Sequence, residues 1–436
     1  MKNRPDQALQ QTAAADRRTR ARAGSLAFAL LLLACLAIPP ASAETIAIIH
    51  GTVVDPSATK PETPATIVID GPKIVAVGPS LDNIPKGARV IDAKDKYIVP
   101  GLWDMHAHLA ALTPIGVAPE HYVGFGVLGL RDMGGYMDQL LPLKAEILSG
   151  KRIGPDLVLA GPTLNGEQSA PFHRLVRTEA EARAAVRELK AVGVDFIKIH
   201  RQTTREAFVG IASETKSLGL TFAGHVPLVL RWIEASNAGM RTIEHIQTIF
   251  ENEQPDPKKL TTEFPGLVKK LDGPYGDAIW ATLVRNRTYF DPTLSGYEGT
   301  IDKNGPEIAA KRRAAFAAMK VLAGRAAKAG VPLLAGTDLL EGHGDKLLHE
   351  LELLVEVGLS PQQALAAATT APCDALHRAG PGRLAVNAPA SLLLVDADPL
   401  ANIANLRKLS LVVLNGKVLD STELARLREM KDPPTP

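Results

Sequence analysis

Between residues 101 and 383 short apolar runs alternate with longer stretches of helical periodicity, and this alternation limits the fold more than any other property of the chain. Repeated β–α units of this kind build a parallel sheet. Eight runs read as strands, at residues 102–109, 127–132, 157–164, 194–200, 221–226, 242–246, 288–294 and 332–338. Helical segments separate most of them, for instance 179–191, apolar at Ala182, Ala185, Val186 and Leu189, and 307–329. Eight such units in a segment of this length fit an α/β fold of the (β/α)8 TIM barrel kind. Periodicity also allows an open doubly wound sheet.

The flanks have a different texture. Strand-like runs occur at 46–49, 51–54, 66–69, 73–77 and 89–91, with a hairpin signal at Asp70-Gly71. They return at 391–396 and 411–419, with a turn at Asn415-Gly416. Either end alone is too short to bury much core, so the two together are expected to form one composite β-sandwich domain built from both termini. The expected order is an N-terminal β part at 44–100, a barrel at 101–383 and a C-terminal β part at 384–436.

Residues 1–43 read as a signal peptide. Arg17, Arg18, Arg20 and Arg22 precede an uncharged run at 26–38, and Ala41-Ser42-Ala43 offers a small-residue cleavage site. The apolar run is shorter than the roughly 18 to 20 residues that span a bilayer, so stable membrane insertion of the mature chain is not expected. Export to the periplasm or outside the cell is the expectation, with lipidation at Cys35 as the alternative. The 49 Lys+Arg against 47 Asp+Glu leave no basic surplus that would point to nucleic acid. Nothing in the sequence opposes a homo-oligomer. Cys373 is the single cysteine of the mature segment and reads as a small buried residue in a helix.

His106-Ala107-His108 closes the first barrel run. Positions i and i+2 on a strand point to the same side, so both imidazoles can converge on one ion. Polar residues recur at the ends of later runs: Lys198 in the fourth, His225 in the fifth, His245 in the sixth and Asp338 in the eighth. Each has a plain explanation alone, as a paired lysine, a hydrogen-bonded core histidine or a helix cap. Six such residues at the carboxyl rim of one barrel, where catalytic groups sit, point to a shared site.

The string Tyr97-Ile98-Val99-Pro100-Gly101-Leu102-Trp103-Asp104-Met105-His106-Ala107-His108-Leu109 resembles the metal-dependent amidohydrolase superfamily, as do Asp195-Phe196-Ile197-Lys198, Gly224-His225-Val226-Pro227, Ile243-Glu244-His245 and Ala335-Gly336-Thr337-Asp338. Within it the likeness is to imidazolonepropionase-like and prolidase-like amidohydrolases. The resemblance implies two divalent metal ions, most commonly zinc. His106, His108 and Asp338 would hold the more buried one, His225 and His245 the more exposed one, and Lys198 would bridge them as a carbamate made with carbon dioxide. It implies hydrolysis of C–N amide bonds in a small molecule, such as a dipeptide or an N-acyl amino acid, by a metal-bridging hydroxide with Asp338 as acid and base. The same superfamily contains cyclic-amide hydrolases, deaminases and non-catalytic binding descendants. Lys198 argues against the deaminase branch, and six filled ligand positions argue against lost catalysis.

Substrate contacts are read from position. Arg131, closing the second run, is a candidate clamp for a substrate carboxylate, or else a partner of Asp132 or another barrel carboxylate. His200 shares a face with Lys198, and Tyr136 lies just beyond the second run. His173 in the 168–177 loop and His343 in the 341–345 loop are expected over the mouth. His349 falls in an amphipathic segment where helix packing explains it.

Overall fold

The structure, a computed structural model, describes residues 44–79, 84–111, 115–338, 344–378 and 380–432. The signal peptide read at 1–43, with Cys35, lies outside the described residues, and so does His343.

Both ends of the described chain enter one eight-stranded sheet. The hairpin expected at Asp70-Gly71 joins Glu62–Asp70 to the antiparallel Lys73–Pro79, with Asp70 opposite Lys73. The turn expected at Asn415-Gly416 joins Leu409–Leu414 to Lys417–Asp420. Both of its residues have positive φ, +49° and +82°, the pairing that lets two-residue turns follow the twist of the strands. The two ends meet where Tyr97–Pro100 runs antiparallel to Leu392–Val395, Ile98 opposite Leu394. Ile46, Ile48, Ile67, Ile69, Ile98, Leu392, Leu394 and Val413 share one buried apolar cluster, so neither terminal segment carries a core of its own.

Gly101 leads from that sheet into a closed parallel barrel. Leu102–Ala107, Val127–Asp132 and Asp156–Leu159 pair in order. Thr163–Asn165, Ile197–Ile199, Phe222–Gly224, Thr242–Glu244 and Tyr289–Asp291 continue it. The third strand is broken: Gly161, at φ +67°, turns the chain so that its first half bonds to strand two and its second half to strand four. Residues 332–335 complete the ring. The Phe290 amide donates to Pro332 O (3.0 Å), the Leu334 amide to Phe290 O (2.9 Å) and the Met105 amide to Ala335 O (2.9 Å).

Helices cover the outside. Glu179–Val192 starts in a capping box, Thr178 accepting from the Glu181 amide, and stops at left-handed Gly193. Ala182, Ala185, Val186 and Leu189, the stripe expected from periodicity, are its buried face and belong to the same apolar cluster as Leu159, Ile197 and Ile199 of the barrel strands. Among the described residues no helix is long and apolar enough to cross a membrane.

Candidate metal centre

The ligand candidates reach one place because the strands end where they do. His106 lies within strand one and His108 just past it. His106 donates through Nδ1 to Glu244 Oε2 at 3.1 Å, and its Nε2 lies 3.3 Å from Asp338 Oδ1. His108 donates through Nδ1 to the Gly134 carbonyl at 2.9 Å, with Nε2 3.5 Å from Asp338 Oδ1. His245 places Nδ1 2.9 Å from Thr293 Oγ1 and 3.6 Å from Asp338 Oδ2. Two of these residues sit on reversed backbone: His245 has φ +68° and Asp338 has φ +54°. This conformation is strained for most residues with a side chain, and here it turns both groups toward the barrel axis. Gly224, at φ +133°, stands before His225, where a Cβ would collide with the Ile199 carbonyl.

Several buried polar atoms at this point have no hydrogen-bond partner: His106 Nε2, Lys198 Nζ, His225 Nδ1 and His200 Nδ1. An unsatisfied buried donor or acceptor costs about 1–3 kcal/mol, so a cluster of them around one cavity marks a place made for a bound group. The chemistry of the donors fits a metal. His106, His108 and Asp338 offer ligand atoms within 4.8 Å of one another. His106 and His108 each commit Nδ1 to a carboxylate or carbonyl, which leaves Nε2 as the free lone pair, the usual arrangement behind a metal-ligating imidazole. Burial holds His106, His225 and His245 well below the ordinary histidine value, in the neutral form that ligates. Burial also lowers Lys198 to about 8, opposed by the nearby Glu244 and Asp338. Desolvation would raise Asp338, but the imidazoles of His245, His106 and His108 packed around it outweigh burial and hold its carboxyl low, and Asp338 in turn raises His108, against that residue's own burial, through the hydrogen bond between them.

Beneath the rim lies a layer of acidic groups. Asp104, buried one turn of the pleat below His106, accepts from the amides of His106 and Thr337 at 3.1 Å each and from the Thr337 hydroxyl at 2.7 Å. Burial pushes its carboxyl up to about 7. It ties strand one to the turn that carries Asp338.

The clamp role read for Arg131 is corrected here. Its side chain is 2% exposed and points across the barrel. Nη2 donates to both Glu244 oxygens at 2.9 and 3.0 Å, Nη1 to Thr242 Oγ1 at 2.9 Å and Nε to the Met105 carbonyl at 2.6 Å. All three guanidinium nitrogens are engaged inside the barrel, with Asp291 Oδ2 also 4.0 Å from Nη2, so buried carboxylates, Glu244 above all, are the anions it serves, and Glu244 in turn orients His106. Arg131→Met should lower unfolding free energy by about 3–5 kcal/mol, because it strands a buried carboxylate. Adding Glu244→Gln to that variant should recover part of the loss in a denaturant titration. No recovery would mean that the stranded charge is not the cause.

The ligand cluster opens into a cavity of about 390 Å³. Six rings follow one another along its wall, His108, Phe172, His173, His200, His225 and His245, and His106 beneath them joins His108 to His245, with neighbouring centroids 4.3 to 5.8 Å apart. His173, expected over the mouth, and His200, expected on the face of Lys198, both line this cavity. His173 belongs to a short strand, His173–Leu175, beside Thr163–Asn165, and its Nδ1 lies 3.1 Å from Ser169 Oγ. Tyr136 is half-buried ahead of the helix Met137–Leu148 and is not among the lining residues. His349 lies on the helix Asp345–Glu356, between Glu298 at 2.5 Å and Glu352 at 3.4 Å, an ion-pair position where packing was expected. Cys373 is buried in the helix Thr370–Leu376, as read.

Four solved structures bear on the fold. A Xaa-Pro dipeptidase with bound methionine superposes at a TM-score of 0.68 with 23% identity, over 87% of this chain and 100% of that one. A candidate prolidase from Bifidobacterium longum gives 0.69 with 26% identity over 88% and 98%. The ochratoxinase of A. niger gives 0.69 with 21% over 87% and 96%, and the bottromycin amidohydrolase 0.69 with 20% over 90% and 90%. Among curated proteins, the dihydroorotase of Pelotomaculum thermopropionicum is 49% identical over 59 residues, which is 14% of this chain and 13% of that relative. The model of the amidohydrolase family matches residues 97–419, from the strand that leads into the barrel to the last strand of the terminal sheet. A match of that extent leaves one assignment, and the chain belongs to the amidohydrolase family.

Proposed function

We propose that the chain is a binuclear metal-dependent hydrolase of small amides, acting on dipeptides or N-acyl amino acids. The observation that carries this reading is a set of buried nitrogen atoms without hydrogen-bond partners around the ionised Asp338: Lys198 Nζ and His225 Nδ1 on residues that line the cavity, and His106 Nε2 behind them, 3.3 Å from Asp338 Oδ1. His106, His108 and Asp338 would hold one ion, His225 and His245 the other, and Lys198 would stand between them as a carbamate. Its neutral amine adds to carbon dioxide and releases a proton, turning a group that cannot ligate into one with two anionic oxygens. When bound, the ions polarise the substrate carbonyl and make water acidic enough to attack near neutral pH.

The protein's own part is positioning and proton movement. Asp338, whose side chain is 35% exposed to the cavity, takes the proton of the attacking water and returns it to the leaving nitrogen. Glu244 and the Gly134 carbonyl keep His106 and His108 turned toward the site. Phe172 gives the cavity an apolar face. The likeness to a dipeptidase and a candidate prolidase supports an amide between two small parts. The leader at 1–43 supports export as the setting of this chemistry.

The test is elemental analysis of full-length protein prepared with zinc and bicarbonate, joined to a panel of dipeptides and N-acyl amino acids. About two divalent ions per chain and hydrolysis of at least one panel member, lost on chelation and regained with zinc, are the expected results. Metal-free protein with undiminished hydrolysis would overturn the reading.

A further inference from the structure

Among the described residues the cavity wall carries two basic side chains, Lys198 and Arg201, and with Lys198 assigned to the carbamate and Arg131 committed to Glu244, Arg201 is the one left as a cation. Lys198 is buried at the metal ligands. Arg201 stands at the edge, its side chain 42% exposed. Its backbone is held on both sides: the His200 amide donates to Leu164 O at 3.0 Å, and the Leu228 amide donates to Arg201 O at 2.8 Å. The residue therefore has a fixed place between the exit of strand four and the loop after strand five.

The Arg201 guanidinium has an ion partner, but a loosely held one. Nη1 lies 3.2 Å from Oε2 and 3.4 Å from Oε1 of Glu251, on the helix Thr248–Glu253. These are long for a charge-assisted bond, and a pair this exposed is weak. One nitrogen serves both Glu251 oxygens, so the parallel fork that a guanidinium offers to a carboxylate is not used. The rest of the nearby wall is neutral: Ser169, Gln202, His173 and Thr163 supply hydrogen-bonding groups and Phe172 an apolar face. Such a wall gives a small substrate one point of charge recognition.

We propose, resting on the reading of the chain as a hydrolase of small amides, that Arg201 anchors a substrate carboxylate and that Glu251 is the internal carboxylate it competes with. The substrates so selected are amides whose amine-side residue keeps a free α-carboxylate, that is, dipeptides and N-acyl amino acids in preference to their C-terminal amides. The anchor lies at the mouth and the scissile carbonyl lies at the metal ligands, so the amine-side residue spans the space beside His200 and His173. Removing Glu251 frees the guanidinium, and removing Arg201 leaves the substrate carboxylate facing an acidic neighbour. The two substitutions therefore act in opposite directions.

The experiment compares zinc-loaded wild type with Arg201→Gln and Glu251→Gln. Calorimetry measures the binding of N-acetyl-L-alanine and of N-acetyl-L-alaninamide, and steady-state kinetics measures the best dipeptide of the panel and its C-terminal amide. Arg201→Gln should weaken the acid about tenfold to hundredfold in Kd and KM, with kcat changed by less than about threefold and the amide unaffected. Glu251→Gln should tighten the acid by about twofold to fivefold and again leave the amide alone. The metal centre's own attraction for carboxylates is common to all three proteins, so these differences belong to Arg201. Equal binding of acid and amide by wild type, an unchanged Kd in Arg201→Gln, or weakening in both variants would overturn the proposal. Arg201-dependent binding of the acid without any amide hydrolysis would refute the functional reading and leave the anchor standing.

Discussion

Asp338→Asn lowers kcat by about 10²- to 10⁴-fold while the protein melts close to the wild-type temperature; this is the result expected if Asp338 moves the proton. The substitution separates chemistry from architecture unusually well. Asparagine keeps the size of the side chain and one oxygen, but it has no basicity at neutral pH. It is also among the few residues that tolerate left-handed backbone, so the φ of +54° at this position is not newly strained. The anchoring bond from its amide to the His106 carbonyl, 2.7 Å, is made by the main chain and survives. Circular dichroism and melting should therefore be unchanged as the rate falls. Undiminished hydrolysis by this variant would remove Asp338 from the proton path.

The second large effect is expected at Lys198. Lys198→Ala should reduce activity by about 10²-fold or more and lower metal content if Lys198 bridges the ions as proposed. Adding formate or acetate should then restore a measurable part of both, because a short carboxylate can place two oxygens where the proposed carbamate would stand. The vacated volume is real: Lys198 is one of the largest fully buried side chains, and its Nζ has no protein partner. A structural lysine would behave otherwise. If Lys198 only filled space or paired with Glu244 or Asp338, small carboxylates would do nothing and metal content would stay at the wild-type level.

Much of this site could be read from residue order. The i, i+2 spacing of His106 and His108 and the recurrence of polar residues at strand ends placed the cluster, because strand geometry turns sequence parity into direction. Apart from Val127–Asp132, which matches its run, the barrel strands are shorter than the apolar runs, three residues in Ile197–Ile199 against seven at 194–200. Hydrophobicity marks what is buried, while the ladder ends where the backbone turns to aim a side chain, as at His245 and Asp338. That residue order left two roles open for Arg131 has a similar origin. Its inward direction was legible, but its partner Glu244 lies on strand six, and a pattern along one strand carries no information about which strand faces it across the barrel. Arg201 drew no attention for the opposite reason: it follows the strand end, where parity stops applying and the loop path decides what faces the cavity.

The pairing of Tyr97–Pro100 with Leu392–Val395 has a consequence for the order in which the protein can be made. Strands that flank the barrel in sequence are neighbours in space, so the terminal sheet cannot close until almost the whole chain has emerged. Contacts so distant along the chain form late. For a chain exported as proposed above, this delays the locked state until translocation is nearly finished and keeps the preceding length pliable enough to be threaded. A protein cut short before Leu392 would leave the edge of Tyr97–Pro100 bare, and such an edge is a template for pairing with other chains. The last strands of the polypeptide thus close the edge that Tyr97–Pro100 would otherwise leave open.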